Sequence, residues 1–308
     1  MANHRIVSLL PAATEIVCGL GCEDQLVGRS HECDYPPGVE STPACTSSRI
    51  QDDGTSSGID QSMKVLSQES QSLFALDVEQ IHSLKPNTII AQAQCDVCAV
   101  AEQDVKSMIG DWPGKAPRLV TLHTTRFAHL WEDIAAVAEA LHVKEQGRNY
   151  TKALKTRLVD VIEKASRVSN QARVLCVEWI DPLMAAGNWI PDLIGMVSAE
   201  NLVSKAGEHS GWMTMDEIVA AKPEVIILMP CGFGLERTRK EAEQLWQNSD
   251  WQKLKAVKKR RVFAVDGNAY FNRPGPRLVD SLEILGEILY PGLLDVTHEG
   301  RAWLRIQS

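Results

Sequence analysis

A ten-residue pattern that occurs twice in this chain decides its fold. Residues 81–90 read Ile-His-Ser-Leu-Lys-Pro-Asn-Thr-Ile-Ile, and residues 218–227 read Ile-Val-Ala-Ala-Lys-Pro-Glu-Val-Ile-Ile. Each copy indicates a helix that stops at Lys-Pro and is followed by an apolar strand, because proline cannot continue a helix and disfavours helical geometry in the residue before it. The repeat predicts two similar α/β lobes with a cleft between them, and small ligands bind in such clefts.

Apolar strands alternate with amphipathic helices on both sides of this pattern. This alternation is typical of mainly parallel sheets covered by helices. The Ser-, Thr-, Asp- and Gly-rich residues 45–60 predict a loop. The predicted strands are 5–10, 25–30, 88–93 and 118–123 in the first half, and 173–179, 224–230 and 261–266 in the second.

The strongest helical period lies between the two halves. Tyr150, Leu154, Leu158, Val161 and Ile162 recur at spacings of three and four residues, which predicts one unbroken helix over 144–169. A helix of roughly 24 residues would be about 36 Å long and would form a stiff connector. We therefore expect an N-terminal α/β lobe at 1–143, a bridging helix at 144–169 and a C-terminal α/β lobe at 170–308.

Composition restricts the class of function. The 308-residue chain has a formal net charge of −8, which argues against a nucleic-acid partner. No apolar run approaches the roughly 20 residues of a membrane span, and the first residues show no secretory signal. The eight cysteines do not have the spacing of a disulfide framework. These features predict a reducing, cytoplasmic location with no membrane span.

Polar and metal-binding residue types follow the first three predicted strands. Small residues after the first strand place backbone N–H groups at the cleft edge, where they can contact a ligand. The His and Cys residues after the second and third strands carry imidazole and thiol groups, which bind soft metals. Three alternatives stay open for them: a His/Cys metal site, a single axial ligand to a bound metal complex, or ordinary packing. The predicted metal ligands are His31, Cys33, Cys95 and Cys98; the predicted ligand-binding residues of this half are Pro11, Ala12, Thr14, Ser30, His31, Glu32, Tyr35, Gln94 and Cys95.

Aromatic residues mark the strand ends and Gly/Pro-rich loops of the second half. Such rings offer flat apolar area and suit the wall of a crevice. Arg273 adds a guanidinium fork for anionic groups. The predicted wall residues are Trp179, Trp189, Trp212, Tyr270 and Phe271, whereas Trp131, Trp246, Trp251 and Trp303 are expected in the core or on the surface.

Several segments resemble one family of transport proteins. Arg5-Ile-Val-Ser-Leu-Leu-Pro-Ala-Ala-Thr-Glu15, Asp34-Tyr-Pro-Pro37, Leu84-Lys-Pro86 and Pro276-Arg277 look like the vitamin B12/ferric-siderophore substrate-binding proteins of ABC transporters. The likeness covers residues 4–291 and is strongest to the cobalamin-binding branch. It implies two α/β lobes joined by one long helix, with a corrin, haem or siderophore held between aromatic walls.

The resemblance also implies positions for ligand and partner contacts. It adds Asp181, Phe233 and Asn268 to the ligand-binding residues. It places docking on an ABC permease at Glu102 and at Asp216 or Glu217.

Three functions therefore compete at this point. The first is a non-enzymatic binder of cobalamin or another metal-bearing ligand. The second is an enzyme that reuses the cleft, with His31, Glu32 and Cys33, or Glu178 and Asp181, as acid–base groups. The third is a metal sensor that uses the His/Cys set.

Overall fold

The computed structural model describes residues 4–69, 72–93 and 100–306, and these residues form two compact units. The first unit holds the described residues of Met1–Asp53, Gln61–Thr124 and Ala128–Ala153. The second holds Gly54–Asp60, Thr125–Phe127 and the described residues of Leu154–Ser308.

Both units are built from short strands and helices. The strands are β1 Ile6–Ser8, β2 Leu26–Arg29, β3 Thr46–Ser48, β4 Phe74–Leu76, β5 Thr88–Gln92, β6 Arg118–Leu122, β7 Arg173–Trp179, β8 Met184–Ala185, β9 Glu200–Asn201, β10 Gly211–Trp212, β11 Val225–Leu228, β12 Val262–Val265 and β13 Trp303–Arg305. The helices are α1 Pro11–Gly19, α2 Ser56–Gln68, α3 Val78–Leu84, α4 Glu102–Gly110, α5 His129–Ala140, α6 Lys144–Ala165, α7 Ile190–Met196, α8 Met215–Ala221, α9 Leu235–Glu241, α10 Ser249–Lys253, α11 Lys255–Lys258 and α12 Leu278–Leu289.

The first unit contains a four-stranded parallel sheet with strand order β2-β1-β5-β6. Its central strands β1 and β5 are buried along their whole length, as expected for strands covered on both faces. The chain leaves β1 towards β2 on one side and later returns to β5 on the other. The topological switch point of this sheet therefore lies between the carboxyl ends of β1 and β5.

The second unit contains a mixed seven-stranded sheet. Its parallel centre is β7-β11-β12, and β9 also pairs with β7 in parallel. Strands β8, β10 and β13 join as short antiparallel additions. The chain changes sides at β7 and β11, so the carboxyl ends of these two strands form the switch point of this sheet.

The duplicated Lys-Pro pattern has the same backbone geometry in both units. Lys85 ends α3 with φ of 46°, and Lys222 ends α8 with φ of 50°, both in the left-handed region. The following proline disfavours right-handed helical geometry at each lysine, and the left-handed turn directs the chain into the next strand. The predicted fold class of two parallel-sheet α/β lobes bridged by one long helix is confirmed by this architecture.

The predicted connector is the 22-residue helix α6, which ends at Ala165 and not at residue 169. Its residues through Ala153 belong to the first unit, and those from Leu154 onward belong to the second. The predicted domain boundaries at 143/144 and 169/170 stay a proposal.

The loop predicted over residues 45–60 is wrong in part. Residues 46–48 form β3, which pairs antiparallel with β4, and α2 begins at Ser56. Ser56 donates its backbone N–H to Glu241 Oε1 over 2.8 Å, and its hydroxyl also donates to that oxygen. The Ser56 N–H has no partner within the helix, as is usual in a first turn, and it is bonded instead by a carboxylate 185 residues away. Local sequence cannot reveal so distant a partner.

Sequence reasoning missed five further strands, β4, β8, β9, β10 and β13. Each has only two or three residues, which is too short to show a periodic pattern. Within the described part of the chain, Cys18, Cys22, Cys33, Cys45, Cys176 and Cys231 are free of disulfides, and no helix is long and apolar enough to cross a membrane.

Candidate ligand-binding site

The carboxyl edge of the first sheet carries a buried chain of hydroxyl and thiol groups. Thr14, in the first turns of α1, donates to Ser8 Oγ over 2.8 Å, and its Oγ1 lies 3.1 Å from Cys33 Sγ. Ser8 in turn donates to the carbonyl of Leu10 over 3.0 Å. These contacts tie the loop after β2 to the start of α1, so the edge is held together by short polar bonds.

His31 lies next to this network, in the loop after β2. The Thr46 hydroxyl donates to Ser30 Oγ over 3.1 Å and accepts the His31 backbone N–H over 2.9 Å. His31 Nδ1 lies 2.7 Å from the same Thr46 oxygen. With Thr46 as the donor to Ser30 Oγ, the tautomer that matches these contacts carries its proton on Nδ1 and its lone pair on Nε2.

Arg29 holds this loop in shape. Its guanidinium donates to the carbonyls of Ser30 (2.9 Å), His31 (3.3 Å), Glu40 (3.0 Å) and Thr42 (3.1 Å). Desolvation by burial, with a further contribution from the nearby Arg29 charge, lowers the pKa of His31 below its ordinary value. The half-buried imidazole is therefore neutral at neutral pH.

The switch point of the second sheet carries an aromatic pair. Trp179 ends β7, and Phe233 follows β11; their ring centroids lie 5.4 Å apart in an edge-to-face arrangement. The guanidinium carbon of Arg237 lies 3.8 Å from the Phe233 ring centroid, a cation–π contact. Aromatic area and positive charge therefore meet at the position where ligands bind in open α/β sheets.

Ser56, at the start of α2, contacts Trp179 within the second unit. Trp179 donates its indole N–H to the carbonyl of Ser56 over 3.2 Å, and only 7% of Trp179 is exposed. Glu241, at the end of α9, accepts the backbone N–H of Ser56. The start of α2 is thus attached to both the tryptophan and the helix after β11.

The other predicted residues of the second half gather after β12. Trp189 is buried and donates its indole N–H to the carbonyl of Phe271 over 2.9 Å. Arg273 is also buried and donates to Asn268 Oδ1 over 3.1 Å. Tyr270 is half-buried, and Arg277 approaches its ring face at 5.5 Å. A π-helical turn at Gly267–Phe271 places these side chains, and such turns are frequent at functional sites.

The remaining predicted residues differ in exposure. Pro11 and Ala12 are buried in the first turn of α1, and Glu32 is half-buried. Tyr35 and Asp181 are exposed, as is Trp212 with 61% of its surface open to solvent. Gln94, Cys95 and Cys98 lie outside the described residues. The structure thus places the predicted residues in two groups, one in each unit, and the assignment of ligand contacts to them stays a prediction.

A metal site built from several His and Cys side chains gains no support from the described residues. Among them, the one group of three potential metal-binding side chains with suitably close donor atoms is Asp280, Glu283 and His298. Arg157 already forms ion pairs with Asp280 at 2.6 Å and with Glu283 at 2.7 Å. Neither His31 nor Cys33 belongs to such a group, and the buried Cys33 thiol contacts Thr14.

Two contributors to the site were missed from the sequence. Arg29 was not among the predicted site residues, although an arginine between a strand and a turn-rich segment is a signal for carbonyl binding. Glu241 gave no signal, because its partner Ser56 is distant in sequence.

Comparisons with known proteins agree with this geometry. A family model described as periplasmic binding protein matches residues 6–269. The chain is 25% identical to an uncharacterized ABC transporter substrate-binding lipoprotein of Bacillus subtilis, YvrC, over 93% of this chain and 80% of that one. It is 24% identical to a vitamin B12-binding protein of Vibrio cholerae, over 91% of this chain and 87% of the relative.

A solved structure shows the same fold. The periplasmic heme-binding protein RhuT from Roseiflexus sp. RS-1, in its apo form, superimposes with a TM-score of 0.71 at 21% identity and covers 94% of this chain and 99% of its own. These relatives are lipoprotein or periplasmic proteins, so the predicted cytoplasmic location is wrong. The prediction rested partly on cysteine usage, and a buried thiol such as Cys176 packs as a small apolar side chain whatever the compartment.

Proposed function

Because the chain belongs to the periplasmic binding protein family, we propose that it is the substrate-binding component of an ABC importer for a metal-bearing macrocycle of the corrin or porphyrin class. The observation that supports this ligand class most is the edge-to-face pair of Trp179 and Phe233 at the switch point of the second sheet, two rings that are 7% and 1% exposed in this structure. A flat macrocycle is matched by rings of this size, and indole is among the strongest anchors in binding sites.

The names of the relatives support this ligand class. One curated relative is a vitamin B12-binding protein, and a structural neighbour is a heme-binding protein. Corrins and haems share a planar ring of nitrogen ligands around one metal ion. The neutral imidazole at the edge of the first sheet can bind the metal of such a ring wherever an axial position is open, as in haem or in a corrin without an internal base, whereas a hexadentate ferric siderophore leaves its metal no such position.

The permease is the second expected partner. Glu102 begins α4 in the first unit and forms an ion pair with Lys106 at 3.0 Å. In the second unit the Glu217 carboxylate accepts the Thr214 backbone N–H over 2.7 Å in a capping box, whereas Asp216 is exposed beside it. We therefore assign docking on the second unit to Asp216 rather than to Glu217.

The test is a fluorescence titration of the purified protein with cyanocobalamin and with haem. We expect saturable quenching of tryptophan emission by at least one of them. The Trp179→Ala substitution should weaken binding by roughly 1–3 kcal/mol, because it removes a large ring from the proposed anchor. The matched control is Trp246→Ala, a partly buried tryptophan packed on Trp251, which should leave the affinity unchanged.

Two results would contradict the proposal. Absence of saturable binding of both compounds by the wild-type protein would remove the ligand class. Equal affinities of wild type and a folded Trp179→Ala variant, judged by thermal unfolding, would remove the proposed aromatic anchor.

A further inference from the structure

We propose that His31 binds the metal of the macrocycle as its axial ligand, through Nε2. The inference rests on the proposed function, because it needs a planar metal complex with an open axial position. The inference adds to the proposed function the residue, the atom and the tautomer through which the first unit would bind the ligand.

The tautomer of His31 provides the first argument. With the Thr46 hydroxyl donating to Ser30 Oγ, its oxygen is the acceptor for His31 Nδ1, which lies 2.7 Å away. Histidines that bind metals are usually oriented in this way, with one ring N–H donated to an oxygen and the other nitrogen left as the donor atom. No residue in the described ranges forms a hydrogen bond with His31 Nε2. The atom is also not fully buried, since it is absent from the fully buried side-chain atoms of the described residues that lack a hydrogen-bond partner.

The rigidity of the imidazole provides the second argument. The Phe74 ring packs beside it with a centroid distance of 5.4 Å, which restricts rotation of the ring. The backbone of His31 is fixed by its N–H bond to Thr46 and by the Arg29 bond to its carbonyl. An axial ligand held in one orientation loses little entropy when the metal binds.

The neighbouring donors provide the third argument, by comparison. Cys33 is two residues away, but its thiol is buried against Thr14. Tyr35 is 42% exposed, and its phenol is a competing oxygen donor of this loop, beside the Glu32 and Asp34 carboxylates. A phenol has to lose its proton before it binds a metal, whereas a neutral imidazole binds directly through its lone pair, so His31 is favoured over Tyr35.

The test uses cobalt(II) probes, whose unpaired electron reports the axial donor directly by electron paramagnetic resonance. Cob(II)inamide is a corrin without an internal base, and cobalt(II) protoporphyrin IX has the shape of haem. Binding of each is first measured by equilibrium dialysis. We expect a nitrogen triplet on the cobalt lines of at least one bound probe, and a doublet when the protein carries ¹⁵N-labelled histidine.

Variants then identify the histidine. His31→Ala should abolish the nitrogen splitting, and Thr46→Val should weaken binding about tenfold by removing the oxygen that orients the ring. Tyr35→Phe should keep the splitting. His142→Asn, which replaces an exposed histidine of the same unit in a left-handed position that asparagine tolerates, should also keep it.

The outcomes separate this inference from the proposed function. Two outcomes overturn axial binding by His31 and leave the proposed ligand class intact. In the first, a probe binds but shows no nitrogen splitting that responds to histidine labelling. In the second, the splitting persists in His31→Ala. Failure of both probes to bind the wild-type protein overturns the proposed function and the inference together. The labelling experiment uses unmodified protein, so the absence of a histidine-dependent splitting overturns the inference even where a variant does not fold, whereas the variants are needed to assign a positive signal to one of the eight histidines.

Discussion

At the scale of single residues, the buried carboxylate of Glu287 organises the C-terminal segment of the second unit. It accepts the backbone N–H of Thr297 over 2.9 Å and the Trp303 indole N–H over 2.8 Å, and it lies 2.7 Å from His298 Nδ1. Burial raises its pKa, but the Trp303, Thr297 and His298 donors outweigh burial, and the net pKa lies below the ordinary value.

We predict that Glu287→Gln lowers the free energy of unfolding at neutral pH by about 2 kcal/mol, because a charged acceptor of several donors is lost. Since folding lowers this pKa, the stabilisation is present above the unfolded pKa of about 4.3 and is lost as the pH falls through the folded value. Urea unfolding at several pH values should show the difference between wild type and variant shrinking below about pH 4.

The matched control is Glu299→Gln, an exposed glutamate of the same segment, which should change stability by less than about 0.5 kcal/mol. A difference between wild type and Glu287→Gln that does not depend on pH would show that the charge of Glu287 contributes nothing.

At the scale of elements, the two Lys-Pro stops are equivalent. Lys85 and Lys222 both adopt left-handed geometry after a helix with an N-cap, formed by Asp77 in one copy and by Thr214 in the other. A side chain with a Cβ pays a cost in this region that glycine does not. The duplication seen in the sequence is therefore a duplication of the whole cap–helix–turn–strand unit.

We predict that Lys85→Gly and Lys222→Gly each raise the free energy of unfolding by about 1 kcal/mol, because glycine is the preferred residue after a helix that ends in a left-handed turn. Lys152→Gly, in the middle of α6 and exposed, should instead lower it by about 1 kcal/mol. Thermal unfolding of the three variants measures the effect. Destabilisation by all three would show that the left-handed turns carry no strain.

The start of α2 depends on a distant partner, Glu241. We predict that Glu241→Ala speeds hydrogen exchange of the amides at 56–60, because the bond from the Ser56 N–H is lost, and shifts Trp179 emission to longer wavelength as solvent reaches the indole. The control is Glu243→Ala, which removes an exposed partner of Arg239 from the next turn of chain. Unchanged exchange at Ser56 in Glu241→Ala would show that this contact does not hold the helix start.

The sequence predicted elements and site residues to different extents. Buried strands such as β5 and β11 were recognised because an apolar run follows a Lys-Pro stop, and α6 because its apolar period continues over more than three turns. The two-residue strands could not be recognised, since they form only through pairing with neighbouring strands. The start of α2 could not be recognised, since it depends on the distant Glu241. For the site, chain order showed that His31 follows a strand, but not that Thr46 fixes its tautomer.

At the scale of the whole molecule, family membership and fold agree, and the ligand is the remaining question. The family model matches residues 6–269, and both sheets present chemically distinct groups at their carboxyl ends. The first unit offers the hydroxyl network and His31, and the second offers Trp179 and Phe233. Composition and periodicity could predict the architecture, whereas ligand identity depends on side-chain placement that no local pattern encodes.

The central claim is that this protein binds a planar metal macrocycle, and native mass spectrometry after incubation with an equimolar mixture tests it most directly. The mixture contains cyanocobalamin, haem, a ferric siderophore and metal-free protoporphyrin. We predict a one-to-one complex with cyanocobalamin or haem and none with metal-free protoporphyrin. Retention of the siderophore alone, equal retention of the metal-free ring, or only unliganded protein would contradict the claim.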